Sequence, residues 1–457
     1  MNEKITNGKK PQLSHALTFV ACMGMFLSTL DTGIMNVALP FFTQFFNTHE
    51  NIAAMSVVGY TVSLAAVIMP LGSLSDRIGK LKISFFGFLL FGISSLLCGL
   101  APNILFLIIF RVFQGIGAAA LQATSSALIT SYVKKEQLNK ALGTLGIAIG
   151  LGPVLGPSIG GMFLSLGAWQ WIFWINIPLV LVTLFVNLFL LKQIKSSPVK
   201  INSFDYKGTS LCLTAIILLL SGLNFIVEPS QLALGTIFIL GAMIVFIMLI
   251  KVEQKQENPL FHLQDYRKSK IALDLLETAL LGFATSMIFL LPPFLLEQLL
   301  HISSGKTGLY VLGAPIGLVV FSKISGNLND GTKHQQFVRI GLWTMFISFI
   351  LLALTSKLWT PILVTSLLFI YGAGAGFFQP ANIALIMQSS SQKMQSEAGS
   401  LQRMIQNIGI AISTTVGSGI LILPFSLRTN LTIGWGLTTS LLFITLFTHL
   451  FIKRAKK

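Results

Sequence analysis

Charged residues are scarce in this chain of 457 residues, where Asp, Glu, Lys and Arg make up 10% and hydrophobic residues 53%. A soluble globular domain carries about a quarter charged residues. The composition therefore excludes a soluble protein and indicates an all-α polytopic membrane protein. At roughly 20 apolar residues per membrane-spanning helix, the chain is long enough for about fourteen spans. That leaves no room for a separate soluble catalytic domain.

Residues that build catalytic, redox or metal sites are also few. Cys22, Cys98 and Cys212 each lie alone in an apolar run, which supports neither a disulfide framework nor a CxxC site. The six histidines lack metal-ligand spacing, and no GxxxxGK[ST] motif for ATP is present. We therefore expect no metal, no cofactor and no catalytic residues. An intramembrane enzyme or sensor is the alternative class of function, and these absences argue against it.

Apolar windows predict fourteen spans, at 14–42, 52–74, 83–101, 104–132, 140–166, 170–191, 208–228, 232–251, 270–297, 305–325, 336–355, 359–388, 397–424 and 432–452. The net charge of +16 would indicate nucleic-acid binding in a soluble protein. Here 26 of the 31 Lys and Arg residues fall in the termini and even-numbered loops, and only Lys306, Lys357 and Arg428 in odd-numbered loops. The positive-inside rule then places both termini in the cytoplasm of a multi-pass cell-membrane protein. The surplus of positive charge therefore reflects the orientation of the chain in the membrane, and we expect no nucleic-acid partner.

The two halves of the sequence resemble each other, as in transporters built from repeated helix bundles. Gly72, Leu74, Asp76 and Gly87 recur 254 residues later as Gly326, Leu328, Asp330 and Gly341. Seven positions of span 4, from Gly115 to Ile129, recur 257 residues later in span 12. The repeat predicts a six-helix bundle in 1–192, a linker with inserted spans 7 and 8 in 193–268, and a second six-helix bundle in 269–457.

The loop after span 2 carries a charged, glycine-flanked motif formed by Gly72, Asp76, Arg77, Gly79 and Lys80. An Asp–Arg pair and a contact with a helix terminus would lock neighbouring helix ends and release them when the helices move. The motif therefore predicts a gate. An ordinary positive-inside loop with a tight turn is the alternative.

Span 4 contains an arginine, Arg111, with Gln114 and Gln122 on roughly the same helical face. An arginine within a span costs several kcal/mol unless it faces a partner or a wet cavity. The pattern predicts a polar stripe that points into the bundle. The alternative is that Arg111 extends to the membrane interface.

Span 5 is rich in glycine and proline, with the motif residues Gly143, Gly152, Gly156, Pro157, Gly160 and Gly161. Gly152, Gly156 and Gly160 follow one another at intervals of four, so one helix face lacks side chains. Such a face permits close backbone approach, and proline bends the helix. We predict tight packing at a moving interface, with simple helix packing as the alternative.

Asp31 in span 1 is the most informative carboxylate, because it lies roughly 25 Å along the helix. A carboxyl group inside a membrane can exchange a proton or pair with a cationic ligand. A structural hydrogen-bonding role is the alternative. In span 9, Asp274 and Glu277 share a face, and either could be a solvated charge at the cytoplasmic end of the span. Glu277 lies deeper and is a second candidate for coupling.

These motifs resemble those of the major facilitator superfamily, and specifically of its fourteen-helix drug:proton antiporter branch. The Gly72–Lys82 loop is similar to the superfamily's signature loop and departs from it at Leu81. The segments around Arg111 and from Gly143 to Gly161 are similar to a proton-transfer motif and an antiporter motif. The Asp31 segment resembles the branch's motif in span 1, apart from Gly33 and Met35. The second-half loop lacks most of the basic residues, which argues against equal gating roles.

The resemblance implies two six-helix bundles around a cavity, alternating access, and export of drugs or other toxic compounds driven by the proton gradient. Asp31, Arg111 and Glu277 would then couple protons to substrate. The substrate cavity is predicted to be broad, to favour amphipathic cations and to contain the amides Asn36, Gln114, Gln122, Gln379, Asn382, Gln406 and Asn407. We expect a monomer in the lipid bilayer. Export of an endogenous metabolite or symport-driven uptake is the alternative within transporters.

Overall fold

The structure, a computed structural model, describes residues 10–194, 205–256, 259–261, 271–390 and 395–454. In this part of the chain every regular element is helical, and fourteen helices are long and apolar enough to cross a membrane. Each predicted span overlaps one of them, so the predicted count is confirmed.

The helices of the first half are α1 (Lys10–Phe45), α2 (Glu50–Ile78), α3 (Lys80–Gly99), α4 (Ile104–Tyr132), α5 (Lys135–Ser165), α6 (Trp171–Trp174) and α7 (Asn176–Gln193). Spans 1 to 5 lie in α1 to α5, and α6 and α7 together form span 6.

The remaining helices are α8 (Tyr206–Ile226), α9 (Leu232–Glu253), α10 (Ile271–Pro293), α11 (Ser304–Val311), α12 (Gly313–Leu328), α13 (His334–Leu354), α14 (Pro361–Gln388), α15 (Gln395–Leu421) and α16 (Leu427–Arg454). A 3-10 turn, Pro229–Gln231, precedes α9, and a π-helical segment, Phe294–Leu299, extends α10. Helices α8 and α9 are spans 7 and 8, α10 with its extension is span 9, α11 with α12 is span 10, and α13 to α16 are spans 11 to 14.

Local sequence explains several helix ends. Asn103 accepts a hydrogen bond from Phe106 N at 3.1 Å and caps span 4. Thr360 caps span 12 in the same way, with Pro361 at the first helical position. Span 9 changes to π-helical spacing directly after Pro292 and Pro293, as expected where proline removes backbone donors.

Contacts divide the chain into two compact units. Unit 1 is Met1–Phe204 with Ser390–Leu401, and unit 2 is Asp205–Ser389 with Gln402–Lys457. By this grouping spans 7 and 8 belong to unit 2, and the first part of span 13 belongs to unit 1. The division predicted at 192/193 and 268/269 stays a prediction, because residues 195–204 and 262–270 lie outside the described part.

The predicted internal repeat is visible in the packing of each unit. In unit 1, Gly87 of span 3 packs on the backbone of Gly117 in span 4, and in unit 2 Gly341 packs on Gly374. Gly115 likewise packs on the backbone of Tyr60. Gly372 packs on Ala314, the residue 254 positions after Tyr60. The same pairs of repeat positions therefore touch in both units.

Large apolar side chains occupy both the interior and the outer surface of the spans. Aromatic cores form around Phe42 and Trp169 in unit 1 and around Phe349 and Trp435 in unit 2. Span 8 exposes a series of apolar side chains that includes Leu240, Met243, Ile244, Phe246, Ile247 and Met248. Such a surface suits the hydrocarbon of a bilayer, because its helical backbone is internally hydrogen-bonded.

Candidate functional site

A buried ion pair joins span 1 to span 4 inside unit 1. Arg111 Nη1 contacts Asp31 Oδ2, and the two residues are 0% and 1% exposed. Arg111 therefore points into the protein, which excludes the alternative that it extends to the membrane interface. The polar stripe predicted for span 4 is confirmed here.

Gln114 completes the pair, because it lies one helical turn after Arg111. Its Oε1 accepts from Arg111 Nη1 at 2.7 Å, and its Nε2 donates to Asp31 Oδ1 at 2.9 Å and to Ser95 Oγ at 2.8 Å. Both carboxylate oxygens of Asp31 are thus engaged. Gln114, predicted to line the cavity, is fully buried and holds the ion pair in place.

Span 2 supplies the remaining contacts of the arginine. Arg111 Nε donates to the carbonyl of Ser56 at 3.2 Å, and the guanidinium carbon lies 4.2 Å from the centre of the Tyr60 ring. A cation above an aromatic face is attracted by the ring quadrupole. Arg111 Nη2 has no hydrogen-bond partner in the described chain. Among the described residues, Asp31 is the one carboxylate that forms an ion pair with this guanidinium.

A second polar contact lies further along span 4. Gln122 Nε2 donates to Ser28 Oγ at 3.2 Å, and the Tyr60 hydroxyl donates to the carbonyl of Ser28 at 3.0 Å. Gln122 Oε1 has no partner among the described residues. Span 1 therefore contacts all three residues of the polar stripe on span 4, through Asp31 and Ser28. The side chain of Asn36 lies outside the described part.

The other predicted site residues lie in unit 2. Glu277 is fully buried in span 9, and Gln379 is buried in span 12. Asn382 accepts from Thr278 Oγ1 at 2.8 Å and donates to the carbonyl of Asp274 at 3.1 Å, which ties span 12 to span 9. The amides of span 13 follow the same pattern of burial. Gln406 is buried and Asn407 half-buried.

The predicted gating loop contacts the beginning of span 13, which belongs to unit 1. Asp76 accepts from the backbone N–H groups of Ser396 and Glu397, both at 3.0 Å. It thereby caps a helix N-terminus, where a carboxylate is favoured. Gly72 lies so close that a Cβ there would be 2.6 Å from Ser400 Cβ. The predicted contact with a helix terminus is confirmed.

The loop also contains an ion pair. Asp76 Oδ1 lies 2.7 Å from Lys80 Nζ, and the predicted pair of Asp76 with Arg77 stays a prediction. Lys80 follows Asp76 by one helical turn across Gly79, whose φ of 112° joins α2 to α3.

The second-half loop has a different local structure. Asp330 accepts from the hydroxyl and backbone N–H of Thr332, and its contact with Lys333 is 3.5 Å long and half-exposed. The Thr332 donors and then Lys333 lower the pKa of the Asp330 carboxyl. The Asp330 bonds stay within its own loop.

The glycine face of span 5 packs directly on span 1. A Cβ on Gly156 would lie 2.6 Å from the backbone of Gly33, and a Cβ on Gly160 would lie 3.2 Å from the carbonyl of Ile34. Gly152 is equally close to Thr29 and Leu30. Close backbone approach is therefore confirmed for these three positions. Gly143 is buried, and a Cβ on Gly161 would meet no described atom within 4 Å.

Several residues of the site were missed by the sequence reasoning. Ser95 of span 3 accepts from Gln114, and Tyr60 of span 2 lies against Arg111. Serine and tyrosine in apolar helices give no periodic signal. Arg403 in span 13 is buried and donates to Gln406 Oε1 at 2.7 Å. The cost of an intramembrane arginine, which singled out Arg111, could have singled out Arg403 as well.

The site contains no grouping suited to metal binding. Within the described ranges, no cluster of three or more His, Cys, Asp or Glu side chains is placed to hold a metal ion. What the arrangement does is join spans 1, 3 and 4 through the buried side chains of Asp31, Ser95, Arg111 and Gln114.

Comparisons with known proteins agree with this architecture. The model of the Major Facilitator Superfamily matches residues 21–414. The riboflavin transporter RibZ of Clostridioides difficile (strain 630) is 30% identical over 396 residues, which are 86% of this chain and 85% of RibZ. The multidrug resistance protein B homolog of Mycobacterium tuberculosis (strain ATCC 25618 / H37Rv) is 27% identical over 418 residues, with coverage of 89% of this chain and 76% of that protein.

A solved structure shows the same fold. The human organic anion transporter MFSD10 (TETRAN) matches with a TM-score of 0.70 at 14% identity, covering 95% of this chain and 99% of MFSD10. At this identity the likeness concerns the fold alone. Since the family model covers most of the chain and the fold agrees, the chain belongs to the Major Facilitator Superfamily and is a multi-pass membrane transporter rather than an enzyme.

Proposed function

We propose that this protein is a proton-coupled antiporter of the cell membrane that exports amphipathic small molecules, including drugs, by alternating access. Relatives named multidrug resistance proteins support export, and the distribution of Lys and Arg supports cytoplasmic termini. No cofactor is needed, because the proton gradient supplies the energy. The observation that carries the proposal is the buried pair of Asp31 and Arg111.

Proton binding at Asp31 would change the helix contacts through the charge of Arg111. Removing two charges from water costs several kcal/mol per ion, and only close pairing and hydrogen bonding offset this. When Asp31 is protonated, Arg111 keeps Gln114 and the Ser56 carbonyl but loses its carboxylate. A conformation that hydrates Arg111 then becomes more favourable, so proton binding shifts the conformational equilibrium.

A cationic substrate would use the same negative charge. While the pair is intact, Arg111 neutralises Asp31, so a cation gains little there. If the pair opens, substrate and proton compete for one carboxylate, and that competition is itself an antiport mechanism. The preference for cations is proposed for this open state, with Glu277 as a second carboxylate.

Transport in inverted membrane vesicles tests the proposal. Energised vesicles that contain the protein should accumulate ethidium and a neutral lipophilic dye above vesicles from cells with an empty vector. An uncoupler should abolish this difference in dye accumulation between the two kinds of vesicle. Cells that express the protein should also grow at higher ethidium concentrations than cells with the empty vector. Accumulation that survives collapse of the proton gradient would contradict proton coupling.

A second candidate is transport of an endogenous aromatic metabolite. The observation that favours it is the 30% identity to a protein named a riboflavin transporter. The same vesicles, tested with radiolabelled riboflavin, separate the two candidates. Saturable riboflavin transport without transport of any lipophilic dye would favour the metabolite.

A further inference from the structure

Unit 2 contains a buried arginine for which the described residues supply no ion-pair partner. Arg403 in span 13 is 5% exposed, and Nη1 donates to Gln406 Oε1 at 2.7 Å. Nη2 has no hydrogen-bond partner within the described ranges. No carboxylate of those ranges forms an ion pair with Arg403.

Comparison with Arg111 shows what is missing. Both arginines are followed three positions later by a glutamine that accepts from Nη1 at 2.7 Å. Arg111 has in addition a carboxylate, a backbone carbonyl and an aromatic face. Arg403 has none of these among the described residues. An uncompensated charge in a membrane interior costs several kcal/mol, and such residues mark substrate or ion pathways.

Other unsatisfied polar groups lie on the same side of span 13. Gln402 is 1% exposed, and its Oε1 has no partner in the described part of the chain. Asn407 Nδ2 is likewise without a partner there. Positions 402 and 406, 403 and 406, and 403 and 407 are three or four residues apart and are therefore neighbours on the helix surface. The cluster thus offers two donors, one of them charged, and one acceptor.

We propose that Arg403 binds an anionic group of the transported compound. A guanidinium presents N–H groups in a fork that matches a carboxylate, and Gln406 fixes its orientation. Asn407 would donate to the same group, and Gln402 would accept from a neighbouring N–H or O–H. The substrates are then amphipathic compounds with a carboxylate beside an aromatic body, zwitterions included. This inference rests on the proposed export function and adds the substrate's anionic group.

Two dyes that differ in one group test the inference. Rhodamine 110 has a free carboxylate, and rhodamine 123 is its methyl ester. We expect purified Arg403→Gln to bind rhodamine 110 about tenfold or more weakly than the parent, as for loss of a charged hydrogen bond. Its affinity for rhodamine 123 should change less than threefold. Arg428→Gln is the control, because Arg428 lies at the start of span 14 and bonds to the Ser356 carbonyl.

Thermal stability separates ligand binding from a structural role. Arg403→Gln removes an unbalanced charge, so its Tm without dye should equal or exceed that of the parent. Equal affinities of the parent and Arg403→Gln for rhodamine 110, including no binding by either, would overturn the inference. A lower Tm with equal loss of both dyes would also overturn it, since that is the signature of a structural arginine. Binding in detergent needs no proton gradient, so failure of proton-driven export would be seen separately.

Discussion

At the scale of single residues, the proposal gives the buried Asp31 carboxylate the role of linking protons to substrate charge. If a cationic substrate and a proton compete for it, the affinity for tetraphenylphosphonium should fall as the pH is lowered from roughly 8 to 5. The fall should be absent in Asp31→Asn, which carries no titratable group there. Equilibrium binding to detergent-solubilised protein measures this. An affinity of the parent that does not depend on pH would show that proton and substrate sites are coupled only through conformation.

A second residue-scale prediction concerns two carboxyl groups at the cytoplasmic ends predicted for spans 7 and 8. Asp205 and Glu253 are 5% and 3% exposed, and Asp205 Oδ2 and Glu253 Oε1 have no hydrogen-bond partner in the described chain. Both oxygens lie against Gly208, where an added Cβ would clash with each of them. Two carboxylates this close repel each other when both are ionised.

Replacing Glu253 with glutamine should therefore stabilise the protein. The amide of Glu253→Gln removes one negative charge and offers a donor to Asp205, for a gain of about 1 kcal/mol. Thermal unfolding at pH 8 should show a higher Tm than the parent. Glu228→Gln, at an exposed position, should leave the Tm unchanged. A lower Tm for Glu253→Gln would show that the carboxylate is needed, for example to hold the Phe261 backbone N–H.

At the scale of helices, the contact of span 5 with span 1 depends on absent side chains. In Gly156→Ala the new methyl would lie 2.6 Å from the Gly33 backbone, which must move apart. Overpacking costs about 1–3 kcal/mol, enough to favour one transport conformation strongly when two are close in energy. We expect a transport rate at least tenfold lower, with normal size-exclusion behaviour.

Gly161→Ala is the matched control, since its Cβ would meet no atom of the described residues within 4 Å. The Gly161→Ala variant should transport at nearly the parental rate, because the new methyl group disturbs no contact. Alanine should not weaken the helix either, since it favours a helix over glycine by about 1 kcal/mol. An equal loss in both variants would mean that glycine is needed in span 5 for bending rather than for close approach.

The loop between spans 2 and 3 gives a second prediction at this scale. Asp76→Asn weakens the cap on span 13 and removes the ion pair with Lys80. If the cap acts as the predicted gate, the change should lower the maximal transport rate more than the substrate affinity, because a gate biases the conformational equilibrium and does not bind substrate. Initial rates over a range of substrate concentrations separate these effects.

Asp330→Asn is the control for the loop, since Asp330 occupies the same repeat position and bonds only within its own loop in the described part of the chain. It should change transport little. If both variants lose rate equally, the loops gate symmetrically despite their different local structure.

At the scale of the whole molecule, the sequence predicted what depends on composition and periodicity. Spans follow from apolar runs, and the repeat predicted glycine positions whose contacts recur in both units. The membrane cost of Arg111 predicted that it has a partner. Asp31 is 80 residues away in sequence, and only tertiary packing shows that it is that partner.

Other features could not be predicted from the sequence because they depend on the direction in which each side chain points from its helix. The sequence predicted a pair of Asp76 with the adjacent Arg77, but it did not indicate the ion pair that Asp76 forms with Lys80 one helical turn later. Gly161 shares the motif of span 5 but not its contact face. The sequence places Arg403 inside a span, but only the tertiary packing shows that the described residues give it a glutamine and no carboxylate.

The most direct test of proton coupling at Asp31 uses purified protein in liposomes with an imposed pH gradient. The parent should concentrate substrate against its gradient, whereas Asp31→Asn should exchange substrate across the membrane at equilibrium but fail to concentrate it. Retained exchange shows that the variant is folded and cycles between its conformations. Concentrative transport by Asp31→Asn at the parental level would contradict the proposal.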